Sequence, residues 1–150
     1  MDFEPGAEIS ALRDRVREFQ DENINPVEAS LHASLDREVG PGVPYPADII
    51  AIREKTHAEG LWNPSPPDEA HGAGLSNLEY APLAEIMGRV AWASEVFNCS
   101  APDTGNMEIL HLFATPAQRE QWLLPLLEGH IRSCFAMTEP DVASSDATNI

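Results

Sequence analysis

Apolar positions recur at helical spacing along most of the chain. Ile9, Leu12, Val16 and Phe19 fall three and four residues apart with Arg and Glu between them. This stripe predicts an amphipathic helix over residues 6–24. Asn25-Pro26 interrupts it, and a second helix is predicted from Pro26 to about Arg37. Val39 to Pro46 carries two Gly and three Pro and reads as a loop. Ala47 to Glu59 returns to helix, with Ile49, Ile50 and Ile52 on its apolar side and Gly60 as its stop. Residues 63–74 hold Pro64, Pro66, Pro67, Gly72 and Gly74, a long irregular loop of the kind that often carries function. Ser76-x-x-Glu79 forms a capping box for a helix bearing Leu83, Ile86, Met87 and Val90, which Pro82 should kink or restart. Asp103 is placed as the cap of a helix through Met107, Leu110 and Leu112. Thr115-Pro116-Ala117-Gln118 combines an N-cap, a Pro at the first position and a Gln at the third, for a helix through Trp122 bounded by Pro125 and Gly129.

After Gly129 the period changes. Ile131, Ser133, Phe135 and Met137 alternate with Arg132, Cys134 and Ala136, which predicts a β-strand over Ile131–Met137. The expected organisation is a helical domain over residues 1–130 and the start of a β-domain over 131–150. One strand cannot make a sheet, so the chain is expected to stop inside its second domain. No internal repeats or low-complexity tracts appear.

The 150 residues are 43% hydrophobic, enough for a sizeable core, and carry a net charge of −16. Nucleic acid is an improbable partner at that charge, because phosphate binding needs clustered cations. The longest apolar runs, such as Leu123 to Leu127, fall far short of the roughly 20 residues of a membrane span. Met1 to Pro5 shows no secretory signal. Cys99 and Cys134 have no metal or redox spacing and suit a reduced interior. Asn98-Cys99-Ser100 matches a glycosylation sequon only formally.

The candidate chemistry is sparse until the end of the chain. His32, His57, His71, His111 and His130 stand apart, without ligand spacing, so no metal site is expected. His71-Gly72-Ala73-Gly74 is better read as a glycine-permitted turn than as an oxyanion loop, since no G-x-S-x-G accompanies it. Cys134 is expected to be a packed thiol, and Trp62, Trp92 and Trp122 core or interface residues. Phe135-Ala-Met-Thr-Glu-Pro-Asp-Val-Ala-Ser-Ser-Asp146 instead joins the strand to a bend rich in hydroxyls and carboxylates. Pro140 ends the ladder there. Such a bend suits a flat polar ligand, and equally a solvated loop.

Phe135-Ala-Met-Thr-Glu-Pro, followed by Ser145-Asp146, resembles the flavin-contact signature of the acyl-CoA dehydrogenases. Thr115 to Gly129 resembles the segment that precedes that signature, and Gly60-Leu-Trp62 and Gly74 to Tyr80 also fit. The variant Asp-Val-Ala-Ser-Ser-Asp looks most like the long-chain branch found in bacteria and in eukaryotic family members ten and eleven. The resemblance implies an all-α, orthogonal helical bundle over residues 1–130, with the first strand of a truncated β-domain after it. It implies FAD as cofactor, with Phe135 and Met137 bordering the isoalloxazine ring and Thr138 bonding its polar edge. A serine before Asp146 would contact FAD or the substrate's pantetheine arm. One residue more than the common Thr-Glu-Pro-Gly-Ala-Gly-Ser-Asp version leaves Ser144 or Ser145 for that role, and Ser145 is favoured because Asp146 follows it.

The implied reaction is α,β-dehydrogenation of an acyl-CoA, with electrons passed to an electron-transfer flavoprotein and a homo-oligomer at full length. The implied compartment is the bacterial cytoplasm, or a mitochondrion or peroxisome. The base belongs to helices outside this chain, so no catalytic residue is expected within it. Leu83 and Met87 could line an acyl pocket or an ordinary core. At −16 the piece alone should hold phosphorylated FAD weakly. The alternatives are a non-catalytic helical interaction module, or a same-fold flavin-dependent oxidase or hydroxylase.

Overall fold

The computed structural model describes residues 4–38, 46–66, 70–142, 146 and 148–149, with only the backbone over 34–38. Its elements are α1 (Ala7–Phe19), α2 (Glu28–Glu38), α3 (Ala47–Ala58), α4 (Asn77–Met87), α5 (Ala93–Val96), α6 (Asp103–Phe113), α7 (Pro116–Gln118) and α8 (Leu124–Leu127). The described residues are helical and irregular, an all-α fold.

The helix predicted over 6–24 is α1 followed by a π-turn at Gln20–Ile24, and a 3-10 turn at Asn25–Val27 carries Pro26 into α2. The apolar stripe goes inside: Ile9, Val16, Phe19 and Ile24 are buried, and α1 packs on α4. Ile49 and Ile52 of α3 meet Ala93, Val96 and Phe97, and Phe19 meets Phe97 edge to face at 5.5 Å. A smaller second core gathers Met107 of α6 with Leu123, Leu126 and Leu127.

The capping boxes form as the sequence predicts. Ser76 N donates to Glu79 Oε2 at 2.8 Å while Glu79 N donates to Ser76 Oγ, and Thr115 and Gln118 repeat the exchange. The Ser76 hydroxyl and then its amide hold the Glu79 carboxyl below its ordinary range. A lowered carboxyl contributes stability that is present above its unfolded value and lost as pH falls through the folded one. Helix content should therefore fall on acidification, and Ser76→Ala should cost about 1 kcal/mol and shrink that acid-dependent step. Circular dichroism against pH for the two proteins checks this; equal profiles would show that the cap does not contribute.

Four expectations need correction. Pro82 does not restart its helix: α4 runs through it, because Leu83, Ile86 and Met87 are anchored in the core on the far side. Pro125 does not end the last helix: the π-turn Arg119–Leu123 runs straight into α8, which carries Pro125 in its first turn. The pattern Ile131–Met137 forms no strand among the described residues. A ladder needs a partner strand, and here the segment's polar groups bond to α6 instead. Cys134 is accordingly exposed rather than packed. Leu83 and Met87, 0% and 2% exposed, are ordinary core. Of the tryptophans, Trp92 is buried, Trp62 half-buried and Trp122 exposed.

Candidate functional site

The C-terminal segment leaves the helical domain from a tightly held turn. Leu127 O accepts Trp62 Nε1 and Asn63 Nδ2, both at 2.8 Å, and Asn98 Nδ2 at 3.1 Å. Asn98 Nδ2 also reaches Asn63 Oδ1 at 2.7 Å. Asn63 and Asn98 both adopt positive φ, 54° and 56°, a conformation asparagine tolerates better than most residues. Both are buried, so the sequon at Asn98 is inaccessible in the folded chain. Gly129 turns the chain at φ +69°, with Arg53 Nη2 donating to its carbonyl at 3.2 Å.

Past the turn, Arg132 and Ser133 are bound to the starts of α5 and α6. Asp103 was expected to cap α6, but the N-cap is Pro102, with no side-chain cap bond. Asp103 is 2% exposed and faces the outgoing segment instead. Its Oδ1 accepts Ser133 N at 2.8 Å and Ser133 Oγ at 2.5 Å, and its Oδ2 accepts Arg132 Nε. The other arm of Arg132 forks onto Glu95, and Asn106 Nδ2 donates to Ser133 Oγ at 2.7 Å. Burial lowers the pKa of Arg132, yet a guanidinium remains charged at neutral pH.

Beyond this anchor, Phe135 and Met137 are 53% and 51% exposed, and Thr138 is exposed. Phe135 Cζ lies 3.5 Å from where a Cβ on Gly105 would sit, so its ring rests against the first turns of α6 while half of it faces outward. Ser144 and Ser145 lie outside the described residues. Asp146 Oδ1 accepts Thr148 N at 2.9 Å and Thr148 Oγ1 at 2.8 Å, and these bonds lower the Asp146 pKa.

Beside α6 a cavity of about 200 Å³ reaches Gly105 and is lined by His71, Thr104, Glu108, His111 and Leu123 among others. His71 and His111 meet edge to face at 5.2 Å. Among the described residues no three His, Cys, Asp or Glu could hold a metal ion, and no helix is long and apolar enough to cross a membrane. Burial pushes the Cys99 thiol up, against nucleophilic use.

The strand expected to carry Phe135 and Met137 is instead an exposed irregular segment that continues through Thr138, and its anchors Asp103, Arg132 and Asn106 were not foreseen. The available signal was the excess of polar residues in the supposed strand: Arg132 and Ser133 need partners when they approach a core.

Residues 6–130 match the family model described as "Acyl-CoA dehydrogenase, N-terminal domain". The chain is 51% identical to acyl-CoA dehydrogenase family member 10 of Mus musculus, covering 95% of this chain and 14% of that protein. It is 49% identical to FadE2 of Mycobacterium tuberculosis, named as an acyl-CoA dehydrogenase, over all of this chain and 36% of that one. A solved structure from Mycobacterium abscessus, described as an acyl-CoA dehydrogenase, superposes with a TM-score of 0.86 at 51% identity, covering 97% of this chain and 38% of the other. The chain spans well under half the length of these relatives. It belongs to the acyl-CoA dehydrogenase family, and residues 6–130 are its N-terminal helical domain.

Proposed function

We propose that the chain supplies one wall of the flavin cleft in an FAD-dependent enzyme that introduces an α,β double bond into acyl-CoA thioesters. Residues 131–150 are then the beginning of the β-domain, whose partner strands lie in the part of the relatives that this chain does not span. The observation that carries the reading is the pairing of two half-exposed apolar side chains, Phe135 and Met137, with the exposed hydroxyl of Thr138 on a segment anchored to α6. An apolar strip edged by a hydroxyl fits a flat ring with a polar rim, so these residues suit FAD.

In this reading Phe135 and Met137 cover part of the isoalloxazine and exclude water from it. Thr138 donates a hydrogen bond to the ring's polar edge, where a fixed donor stabilises charge that develops on reduction. When bound, FAD would supply the acceptor for the hydride of the acyl β-carbon. Ser144 or Ser145, with Ser145 preferred, contacts the cofactor or the pantetheine arm. The α-proton is removed by a carboxylate supplied from outside residues 1–150. An electron-transfer flavoprotein then reoxidises the enzyme, which works as a homo-oligomer.

The test is a chimera in which this chain replaces its counterpart in the Mycobacterium abscessus protein. The purified chimera should carry FAD, and Thr138→Ala should weaken FAD binding by about tenfold, the loss of one hydrogen bond to a polarised group. Residues 1–150 alone should lose flavin on gel filtration, since net charge −16 opposes a phosphorylated anion. A folded but colourless chimera would overturn the proposal, and a lone chain that stays yellow would overturn the expectation that it holds FAD weakly by itself.

A further inference from the structure

We infer that Asp103 is the positioning residue for the flavin-facing segment, acting through Ser133 and Arg132. The inference rests on the proposed function for what the segment faces, whereas the clamp itself stands on geometry alone.

A carboxylate at 2% exposure must be paired to remain charged at tolerable cost. Its place in the first turn of α6 favours negative charge. A capping side chain would turn back onto its own helix. Asp103 instead directs both oxygens at two consecutive residues of the outgoing chain, Arg132 and Ser133. Ser133 is held on its amide and on both roles of its hydroxyl, which donates to Asp103 and accepts from Asn106. Arg132 is held at its other edge by Glu95 of α5. The ends of two helices therefore converge on one short stretch immediately ahead of the signature.

The distances make this stretch the right place for control. At roughly 3.3 Å per extended residue, Phe135 lies at most about 7 Å beyond Ser133, and Thr138 about 17 Å. With Ser133 fixed, Phe135 meets α6 at Gly105, its Cζ in van der Waals range, 3.5 Å, of where a Cβ would sit. A slip of one residue would put Arg132 or Cys134 in the place of Ser133 and lose its bonds to Asp103 and Asn106. Asp103 thus fixes where the segment carrying Phe135, Met137 and Thr138 leaves α6.

Two measurements separate the clamp from its use. In residues 1–150, Asp103→Asn keeps the shape and removes the charge. It should speed exchange of the Ser133 amide, the one within 131–137 that Asp103 accepts, by at least about tenfold, the loss of one hydrogen bond to a charged group, while α1 and α4 exchange as before and report an intact fold. Arg132→Gln should act in the same direction, and Asp103→Glu should restore protection in part. In the FAD-loaded chimera, Asp103→Asn should shift the flavin's visible spectrum and reduction potential, which a purely structural role would leave alone. Unchanged exchange of the Ser133 amide would overturn the clamp. Faster exchange with an unaltered flavin spectrum and potential would overturn the positioning role. A colourless unsubstituted chimera would sink the flavin reading and the positioning role with it, while faster exchange would still establish the clamp.

Discussion

Replacing Asn98 by alanine should lower folding stability by about 3 kcal/mol. One part is backbone: at φ 56° a non-glycine, non-asparagine residue gives up roughly 1–2 kcal/mol. The other part is the buried amide. Asn98 Nδ2 shares its two hydrogens among Asn63 Oδ1, Leu126 O and Leu127 O, at 2.7, 3.2 and 3.1 Å. Asn63 Oδ1 is left short of a donor when that amide is removed, and a buried orphan acceptor costs about 1–3 kcal/mol. Leu127 O suffers less, because Trp62 and Asn63 still donate to it. Asn98→Gly separates the parts: it keeps the φ and loses the amide, so it should recover about 1 kcal/mol of the loss. Urea unfolding checks both through the midpoint at constant slope. Equal losses for the alanine and glycine variants would remove the backbone part of the account, and no loss in either would remove the network.

Gly129→Ala should cost a similar amount, about 3 kcal/mol, for a different reason. An added Cβ would lie 2.2 Å from Arg53 Nη2 and 2.8 Å from Trp62 Cζ2. The end of Arg53 could move, but it would give up its bond to Gly129 O and its place 5.0 Å over the Trp62 ring. Trp62 has less freedom, being tied through Nε1 to Leu127 O and stacked on His57 at 4.4 Å. Overpacking of this kind costs about 1–3 kcal/mol, and the positive φ adds roughly 1–2 kcal/mol. Gly60 offers an internal control, with φ +64° and nothing within 4 Å of its would-be Cβ. Gly60→Ala should therefore show the conformational cost alone, about 1 kcal/mol. Thermal melts of both variants, with tryptophan fluorescence to report Trp62, decide the matter; equal costs would mean that the contact with Trp62 and Arg53 contributes nothing.

The parts of the fold that were legible are those written in local spacing. The Ile9–Leu12–Val16–Phe19 stripe, the Ser76/Glu79 and Thr115/Gln118 boxes and the Gly60 stop each involve residues within one or two turns of one another, and each forms. His71-Gly72-Ala73-Gly74 also behaves as the turn it was read to be. Gly74 takes φ +65°, and Gly72 packs so closely that a Cβ would meet Pro66 O at 2.5 Å. The illegible parts are polar and long-range. Asn98 meets Asn63 across 35 residues, and Asn63 meets Leu127 across 64. Nothing local distinguishes such an asparagine from a loop residue or a formal sequon. Asp103 was misread for the same reason: a carboxylate at a helix start looks like a cap unless the Arg132–Ser133 segment is known to pass beside it. The alternation in Ile131–Met137 was read as a strand and forms none, because a strand is a property of two segments and the described residues hold no partner for it. At the candidate site, Phe135, Met137 and Thr138 are proposed from the signature, whereas the anchorage through Asp103 is visible only in three dimensions.

The central claim is that Phe135, Met137 and Thr138 border a working flavin. An anaerobic titration of the FAD-loaded chimera with acyl-CoA, followed through the flavin's visible band, tests it most directly. The band should bleach as substrate is added, and Thr138→Ala should weaken or slow the bleaching. Bound FAD that keeps its colour at saturating acyl-CoA, in a chimera whose parent bleaches, would contradict it.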